Sequence, residues 1–458
     1  MQFDIGTLGS NAAEFLQFQK SASVSDLKKT LSNFGRLDDT DHRRALTELT
    51  LHDNSDIRML AIKNLAKYAD EELKEVIMNI VRTDSSSLVR REAVSAIGRM
   101  RSESCVEDLV TLLHDRDPSV VMQAIRGLLV FKKIDSVREE LIQIQNHPNE
   151  IIKEVIEIEL LSGRKPSSKS HSAVDVRLKN IVVNTDVLQA LEVIDPESIH
   201  LTFTSPPYYN AKDYSIYSSY QEYLDFLRSV FIETHRVTKE GRFLVVNTSP
   251  VIASRFSRSH ASKRYPIPFD LHTILVSMGW EFIDDIVWQK PEYSVKARNN
   301  GFLRHRKPLA YKPNQVTEMV IVYRKKTSKL IDWNLKQYSK EILEESRVLD
   351  GYETSNLWKI NPSNDSVHTA VFPNELSDKI IQYYSLVGDL VFDPFGGAGT
   401  LGLSAVRNKR NFFLTEIDED YVNRMRVRFS KLEPPISSVQ IIEPVFLSLD
   451  EFKESFEN

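Results

Sequence analysis

From Leu390 to Val406 the chain reads LVFDPFGGAGTLGLSAV: an apolar run, a glycine turn and a helix-type pattern. Gly397, Gly399 and Gly402 satisfy G-x-G-x-x-G, and Glu416 follows nineteen residues after the first glycine, at the end of the next apolar run, FFLTEI. A turn without Cβ atoms lets a ligand approach the backbone, and an acid ending the second strand can hold a ribose diol. The plainer alternative is a tight strand-to-helix turn that holds nothing. A nucleotide-binding sheet needs more strands than the one helix and tail that follow Glu416. The missing strands must come from earlier in the chain, so the sheet is expected to assemble in permuted order.

The preceding sequence holds them. IVVN, IHLTFT, FLVVNT, FIDDIVW and MVIVY are short β-type runs, alternating with helical stretches such as YQEYLDFLRSVFIETHRV and, further on, NELSDKIIQYYSLV. Such alternation predicts an α/β domain with a mostly parallel sheet. The first third differs. IRMLAIKNLAKY, VRREAVSAIGRM and VVMQAIRGLLVF place Ala61, Ala93 and Ala124 at equivalent positions, with Val155 as a fading fourth, at intervals of 32, 31 and 31 residues. Each unit follows a polar turn and carries an amphipathic helix whose small central residue permits close packing. This resembles HEAT-type repeats, which stack to bury a shared core and leave a long surface for partners. Residues from about Ser23 are expected to cap the array with a pair of helices.

The expected organisation is therefore α + α/β. Residues 1–162 form HEAT-like repeats, 163–175 (GRKPSSKSHSAVD) a linker, 176–435 a Rossmann-like domain with permuted motif order, and 436–458 a tail. A chain with 41% apolar and 27% charged residues has enough of both to fold rather than stay disordered. MQFDIGTLGS has neither the charged nor the apolar region of a signal peptide, and no apolar stretch is long enough to span a bilayer, so a cytoplasmic location is expected. The single cysteine, Cys105, excludes an internal disulfide and a cysteine-built zinc site. His235, His272 and His305 show no metal-ligand spacing. A net charge of −5 leaves a nucleic-acid partner open, because local charge decides. Lys290, Lys296, Arg298, Arg304, Arg306, Lys307 and Lys312 stand against the single acid Glu292, and a shorter basic run spans 254–264.

One stretch is stiffer than a strand end requires. HLTFTSPPYYN runs from His200 to Asn210, with Pro206 and Pro207 adjacent. TSPPY (204–208), followed much later by DPFGGAGT (393–400), resembles the β group of S-adenosylmethionine-dependent DNA amino-methyltransferases. The resemblance runs from Asp175 to about Ser430 and leaves the repeats outside it. It implies that the Ser205 hydroxyl and the Pro206 carbonyl accept the amino hydrogens of a base. Pro207 helps to fix that edge, and Tyr208 stacks on the base taken out of the duplex. It also implies a cofactor site, with Asp186 near the adenine, and Thr369 and Phe372 of HTAVFPNEL at the methionine end. Asp393, Phe395, Gly397, Gly399 and Thr400 would form the turn, and Glu416 would hold the ribose.

An exocyclic amine is a poor nucleophile because its lone pair is delocalised into the ring. Acceptors that draw its hydrogens out of the plane localise that pair. Methylation at cytosine C5 needs a thiolate, and Cys105 lies in a helical repeat, so that reaction is set aside. Serine at the first position of the tetrapeptide mostly accompanies N4-cytosine methylation in the family; N6-adenine is the alternative. The implied partner is double-stranded DNA, clamped by the 290–312 cations, with target recognition over about 290–362. The repeats, with Arg90, Arg91, Arg99 and Arg101 on exposed faces, would serve a protein partner or a homodimer. The chemistry requires no metal. A non-catalytic DNA-binding adaptor and an RNA substrate are the competing readings.

Overall fold

The computed structural model describes residues 12–34, 40–68, 73–161, 170–209, 217–253, 259, 262–295, 297, 300–309, 311, 313–363, 372–431 and 444–457. The chain divides into two compact units, Met1–Lys165 and Pro166–Asn458.

In the first unit the three repeat motifs form helices Ser55–Leu65, Ser87–Met100 and Pro118–Leu128, followed by Glu150–Ile156. Three of the four helices are capped by a side chain from the preceding polar turn; Ser86, before Ser87–Met100, makes no such bond. Asn54, Asp117 and Asn149 each accept a backbone N–H of the helix that follows, satisfying donors that a helix N-terminus otherwise leaves open. Ala61, Ala93 and Ala124 are fully buried, and the fourth position, Val155, is half-buried. The closest helix–helix approach set by missing side chains is elsewhere: a Cβ built on Gly98 would lie 3.1 Å from Gly127 Cα. Successive turns are tied by charge, Arg58 to Asp84 at 2.7 Å and Arg90 to Asp115 at 3.6 Å. Arg90 therefore points inward at 5% exposure, which corrects the expectation of an exposed cation; Arg99 and Arg101 are exposed. Upstream, helices Ala12–Gln19, Val24–Ser32 and Thr40–Leu49 enclose a separate core around Phe15, Leu27 and Leu31. The cap thus begins earlier than Ser23, and its first helix supplies the buried Phe15.

Among its described residues the second unit holds eleven strands: β1 Ile181–Asn184, β2 Ile199–Thr204, β3 Thr238–Thr248, β4 Val251–Ala253, β5 Lys263–Tyr265, β6 Trp280–Gln289, β7 Thr317–Lys325, β8 Leu357–Lys359, β9 Leu390–Asp393, β10 Asn411–Glu416 and β11 Val445–Ser448. Nine form one sheet in the order β11-β1-β10-β9-β2-β3-β7-β6-β8, and β4 and β5 pair as a hairpin. Within the nine-stranded sheet all neighbours are parallel except those of β7. The central strands are buried on both faces; every residue of β2 and β9 is buried, and whereas β9 begins as the continuous apolar run LVF, β2 alternates apolar residues with the buried polar His200, Thr202 and Thr204. The order places the N-terminal strand β2 beside the late strand β9, the permutation that the glycine turn requires.

Two stretches depart from the sequence reading. The supposed tail adds β11 beside β1 and a helix, Leu449–Glu457, whose Phe452 is fully buried and stacks on Phe413 at 5.5 Å. Residues 170–173, assigned to the linker, pack into the second unit: the His171 backbone oxygen accepts from Lys239 Nζ at 2.9 Å and His200 Nε2 at 3.1 Å.

Candidate active site

Parallel strands present their C-terminal ends along one edge, and in open α/β sheets that edge carries the ligand. Here it carries Asp186 after β1, Ser205–Tyr208 after β2, Asp393–Thr400 after β9 and Glu416 at the end of β10. Since β7 runs against the others, its first residues, and the last of β3 and β6, reach the same edge.

The glycine turn is pinned to its neighbours at several points. Gly396 N donates to the Thr415 carbonyl at 2.8 Å, and Thr415 Oγ1 to the Pro394 carbonyl at 2.9 Å. Gly399, at φ +75°, caps helix Thr400–Arg407, and a Cβ there would meet Met425 Cγ at 3.0 Å; both the backbone geometry and the space demand glycine. Gly397 N donates to Glu416 Oε2 at 2.7 Å, and Asp418 N to Oε1 at 2.9 Å. Burial pushes the Glu416 carboxyl up, while these donors pull it back. Asp186 caps helix Val187–Leu191 by accepting from Leu188 N at 2.8 Å. It adjoins Glu416 through the pairing of Asn184 with Glu416 in the β1–β10 register. Phe395 is half-buried against Phe226 at 6.0 Å. Thr400 is buried and accepts from Arg428 Nη1 at 3.3 Å, and Phe372 is buried on Phe203 at 4.6 Å.

The proline corner meets this turn directly. Thr204 Oγ1 donates to Asp393 Oδ1 at 2.7 Å, and Phe395 N donates to the same oxygen at 3.0 Å. Beyond the prolines the two tyrosines part company. Tyr209 is buried in an aromatic cluster with Tyr220, Tyr223 and Tyr265. Tyr208 stays partly accessible, and its hydroxyl donates to Glu318 Oε2 at 3.1 Å. Burial, with the Glu318 carboxylate beside it, pushes the Tyr208 phenol well above its ordinary value.

Glu318 and Asn247 escaped the sequence reading. Asn247 Nδ2 donates to Glu318 Oε2 at 2.7 Å and lies 3.4 Å from Ser205 Oγ, while its Oδ1 is buried with no partner among the described residues. Lys290 pairs with Glu318 Oε1 and sits over the Trp288 ring at 4.6 Å. Each is a polar residue at the end of an apolar run (FLVVNT, TEMVIVY), the only available signal, and a weak one without the strand directions.

Of the DNA-contact candidates, Lys290 is thus engaged beneath the notch, whereas Arg304, Arg306 and Lys307 are exposed. Lys296, Arg298, Lys312 and the cofactor candidate Thr369 lie outside the described residues.

Residues 199–426 match the DNA methylase family, and residues 14–96 and 74–160 match HEAT repeats. The Type II beta methyltransferase M.BslI of Bacillus sp. (strain NEB-606) is 26% identical over 264 residues, 55% of this chain. The Type II methyltransferase M.Cfr9I of Citrobacter freundii is 27% identical over 305 residues, 56% of this chain and 93% of that protein. The chain spans only 27% of M.BslI and 32% of the Type II methyltransferase M.MwoI of Methanothermobacter wolfeii. Among solved structures, the cytosine-N4-specific PvuII DNA methyltransferase is 22% identical, with a TM-score of 0.43, over 63% of this chain and 95% of its own.

Proposed function

The chain carries a DNA methylase domain over residues 199–426 behind N-terminal HEAT repeats, and from that premise we propose that it moves the methyl group of S-adenosylmethionine to the exocyclic N4 amine of cytosine in duplex DNA, at a specific sequence. The observation that carries this reading is the Thr204–Asp393 hydrogen bond of 2.7 Å. It joins the edge that would hold the amine to the turn that would hold the cofactor, so two motifs 189 residues apart in sequence act on one space. Bringing two reactants into line is most of what such a transfer asks of a protein, because the sulfonium already activates the methyl carbon.

The candidate residues divide accordingly. Glu416, at the end of β10, and Asp186, just beyond the adjacent β1, suit the nucleoside of the cofactor, and the 393–400 turn and Phe372 its remaining length. Ser205 and the Pro206 carbonyl are the acceptors for the amino hydrogens. Proline at 206 and 207 fixes φ and removes two N–H groups, so the acceptor edge needs no reorganisation during reaction. The Tyr208 ring is the stacking surface for a base outside the helix. Arg304, Arg306 and Lys307 are free to meet phosphates. We extend the proposal to a role as the modification partner of a restriction or defence system.

N6 of adenine is the second reading, since a neutral serine hydroxyl can serve either amine. Incubation of unmethylated genomic DNA with the protein and S-adenosylmethionine, followed by nucleoside mass spectrometry, separates them. N4-methylcytosine is the expected product. N6-methyladenine alone rejects the choice of base, and cofactor binding without any methylated nucleoside supports the non-catalytic adaptor instead.

A further inference from the structure

Resting on the methyl-transfer reading above, we propose that Glu318 takes up the proton the amine must lose, through a relay of the Ser205 and Tyr208 hydroxyls. When the amine nitrogen attacks the methyl carbon, the new C–N bond forms as the C–S bond breaks, and sulfur leaves with the bonding pair. The nitrogen then carries a positive charge and one hydrogen too many. Because its lone pair belongs to the ring, this cation is strongly acidic, and an ordinary carboxylate accepts its proton downhill.

The acceptors at the notch cannot keep that proton. A proline carbonyl only lends a lone pair, and a serine hydroxyl takes a proton only by passing its own. Ser205 and Tyr208 meet the same pair of residues: Tyr208 donates to Glu318 Oε2 at 3.1 Å, and Asn247 Nδ2 lies 2.7 Å from that oxygen and 3.4 Å from Ser205 Oγ, while the Ser205 hydroxyl lowers the Tyr208 phenol against the larger effect of burial. The proton moves from nitrogen to Ser205 Oγ, the Ser205 hydrogen to Tyr208 Oη, and the Tyr208 hydrogen to Glu318. Both hydroxyls are regenerated, the amine is neutral, and one proton has reached the carboxylate.

Two features of the site are otherwise unexplained. Stacking needs only the ring, so phenylalanine would serve; the Tyr208 hydroxyl has work only because Glu318 faces it. Glu318 lies on a strand that continues into the buried Val320, Ile321 and Val322, where a carboxylate is costly to desolvate. It is held there by three donors, Lys290, Tyr208 and Asn247. The same Asn247 amide donates to Ser205 Oγ at 3.4 Å, which leaves the Ser205 hydrogen uncommitted by that contact. Glu318 acts through Tyr208 and is a relay residue, with no contact of its own to the amine.

The test is single-turnover methyl transfer to unmethylated genomic DNA by the intact protein and by Tyr208→Phe, Glu318→Gln and the double variant. Cofactor affinity of each is measured alongside. Each single change is expected to slow transfer about a hundredfold or more, the usual scale for a lost proton acceptor. Each should also leave cofactor affinity unchanged and lose no more in combination than the worse single variant. Tyr208→Phe at the intact rate overturns the relay whether or not Glu318→Gln folds; so does a double variant whose losses multiply. No transfer by the unaltered protein refutes the methyl-transfer reading itself, a result distinct from either.

Discussion

The Thr204 hydroxyl donates to Asp393 Oδ1 at 2.7 Å, between the C-terminal ends of two adjacent parallel strands that are both wholly buried. Burial pushes the Asp393 carboxyl up to about 7, against the pull of Thr204 and Phe395 and with the negative charge of Glu416 adding to it. In the unfolded chain the group titrates near its ordinary value, so the folded state binds the proton more tightly. The stability this contributes is present below about pH 4 and is lost as pH rises to about 7. Asp393→Asn cannot titrate. The melting temperature of the intact protein relative to that variant, measured without cofactor, should fall steadily across this window; parallel curves would refute the assignment.

His171 provides the opposite slope. Its Nε2 donates to the Glu240 carbonyl at 2.9 Å and its ring meets Trp333 edge-on at 5.0 Å. Burial, outweighing that hydrogen bond and helped by nearby Arg242 and Lys239, lowers its pKa to about 4. The folded state thus holds it neutral where the unfolded chain binds a proton. Its stabilisation is complete above about pH 6.5 and is lost as pH falls toward 4. Relative to His171→Asn, the intact protein should gain stability as pH rises from 4 to 6.5. Opposite signs for the Asp393 and His171 comparisons, in one instrument and one buffer series, check each other.

The division between cofactor and base can be separated by substitution. Glu416 holds Gly397 N and Asp418 N by its two oxygens, and is also the acid available to a ribose. Glu416→Ala should weaken S-adenosylmethionine binding by about tenfold or more, on the scale of one or two hydrogen bonds to a charged group. Pro206→Ala, and more strongly Tyr208→Ala, should lower turnover with cofactor affinity nearly intact. Calorimetric titration beside a turnover assay distinguishes them, and a rise in the cofactor dissociation constant as the sole effect of all three changes would sink the assignment.

What the sequence discloses here is governed by burial. Strands β2 and β9 and helix Tyr220–Val237 are legible because buried central elements are continuous in apolar character or strongly periodic. The edge strands β8 and β11, with three and four residues, bury too little to leave a pattern. The motif residues were legible because SPPY and the glycine turn are rigid and contiguous. Glu318, Asn247 and the inward turn of Lys290 were not, for their meeting depends on β7 running antiparallel, a choice no local pattern encodes. The inward turn of Arg90 was hidden for a related reason: its partner, Asp115, belongs to the next repeat.

In the helical unit the same dependence on distant neighbours makes one glycine critical. A Cβ on Gly127 would lie 2.9 Å from Leu109 Cδ1 and 3.1 Å from Gly98 Cα. The leucine tip can rotate away, but the backbone of helix Ser87–Met100 cannot do so without moving its own core, where Ala93, Val94 and Ile97 are fully buried. In a free helix alanine would be favoured over glycine by about 1 kcal/mol. Here overpacking should reverse the sign, with Gly127→Ala costing about 1–3 kcal/mol. Chemical unfolding followed by far-ultraviolet circular dichroism reads this directly. Unchanged or increased stability would show that the two helices can separate by the few tenths of an ångström required, and that the crossing at Gly98 and Gly127 is not what holds the repeats in register.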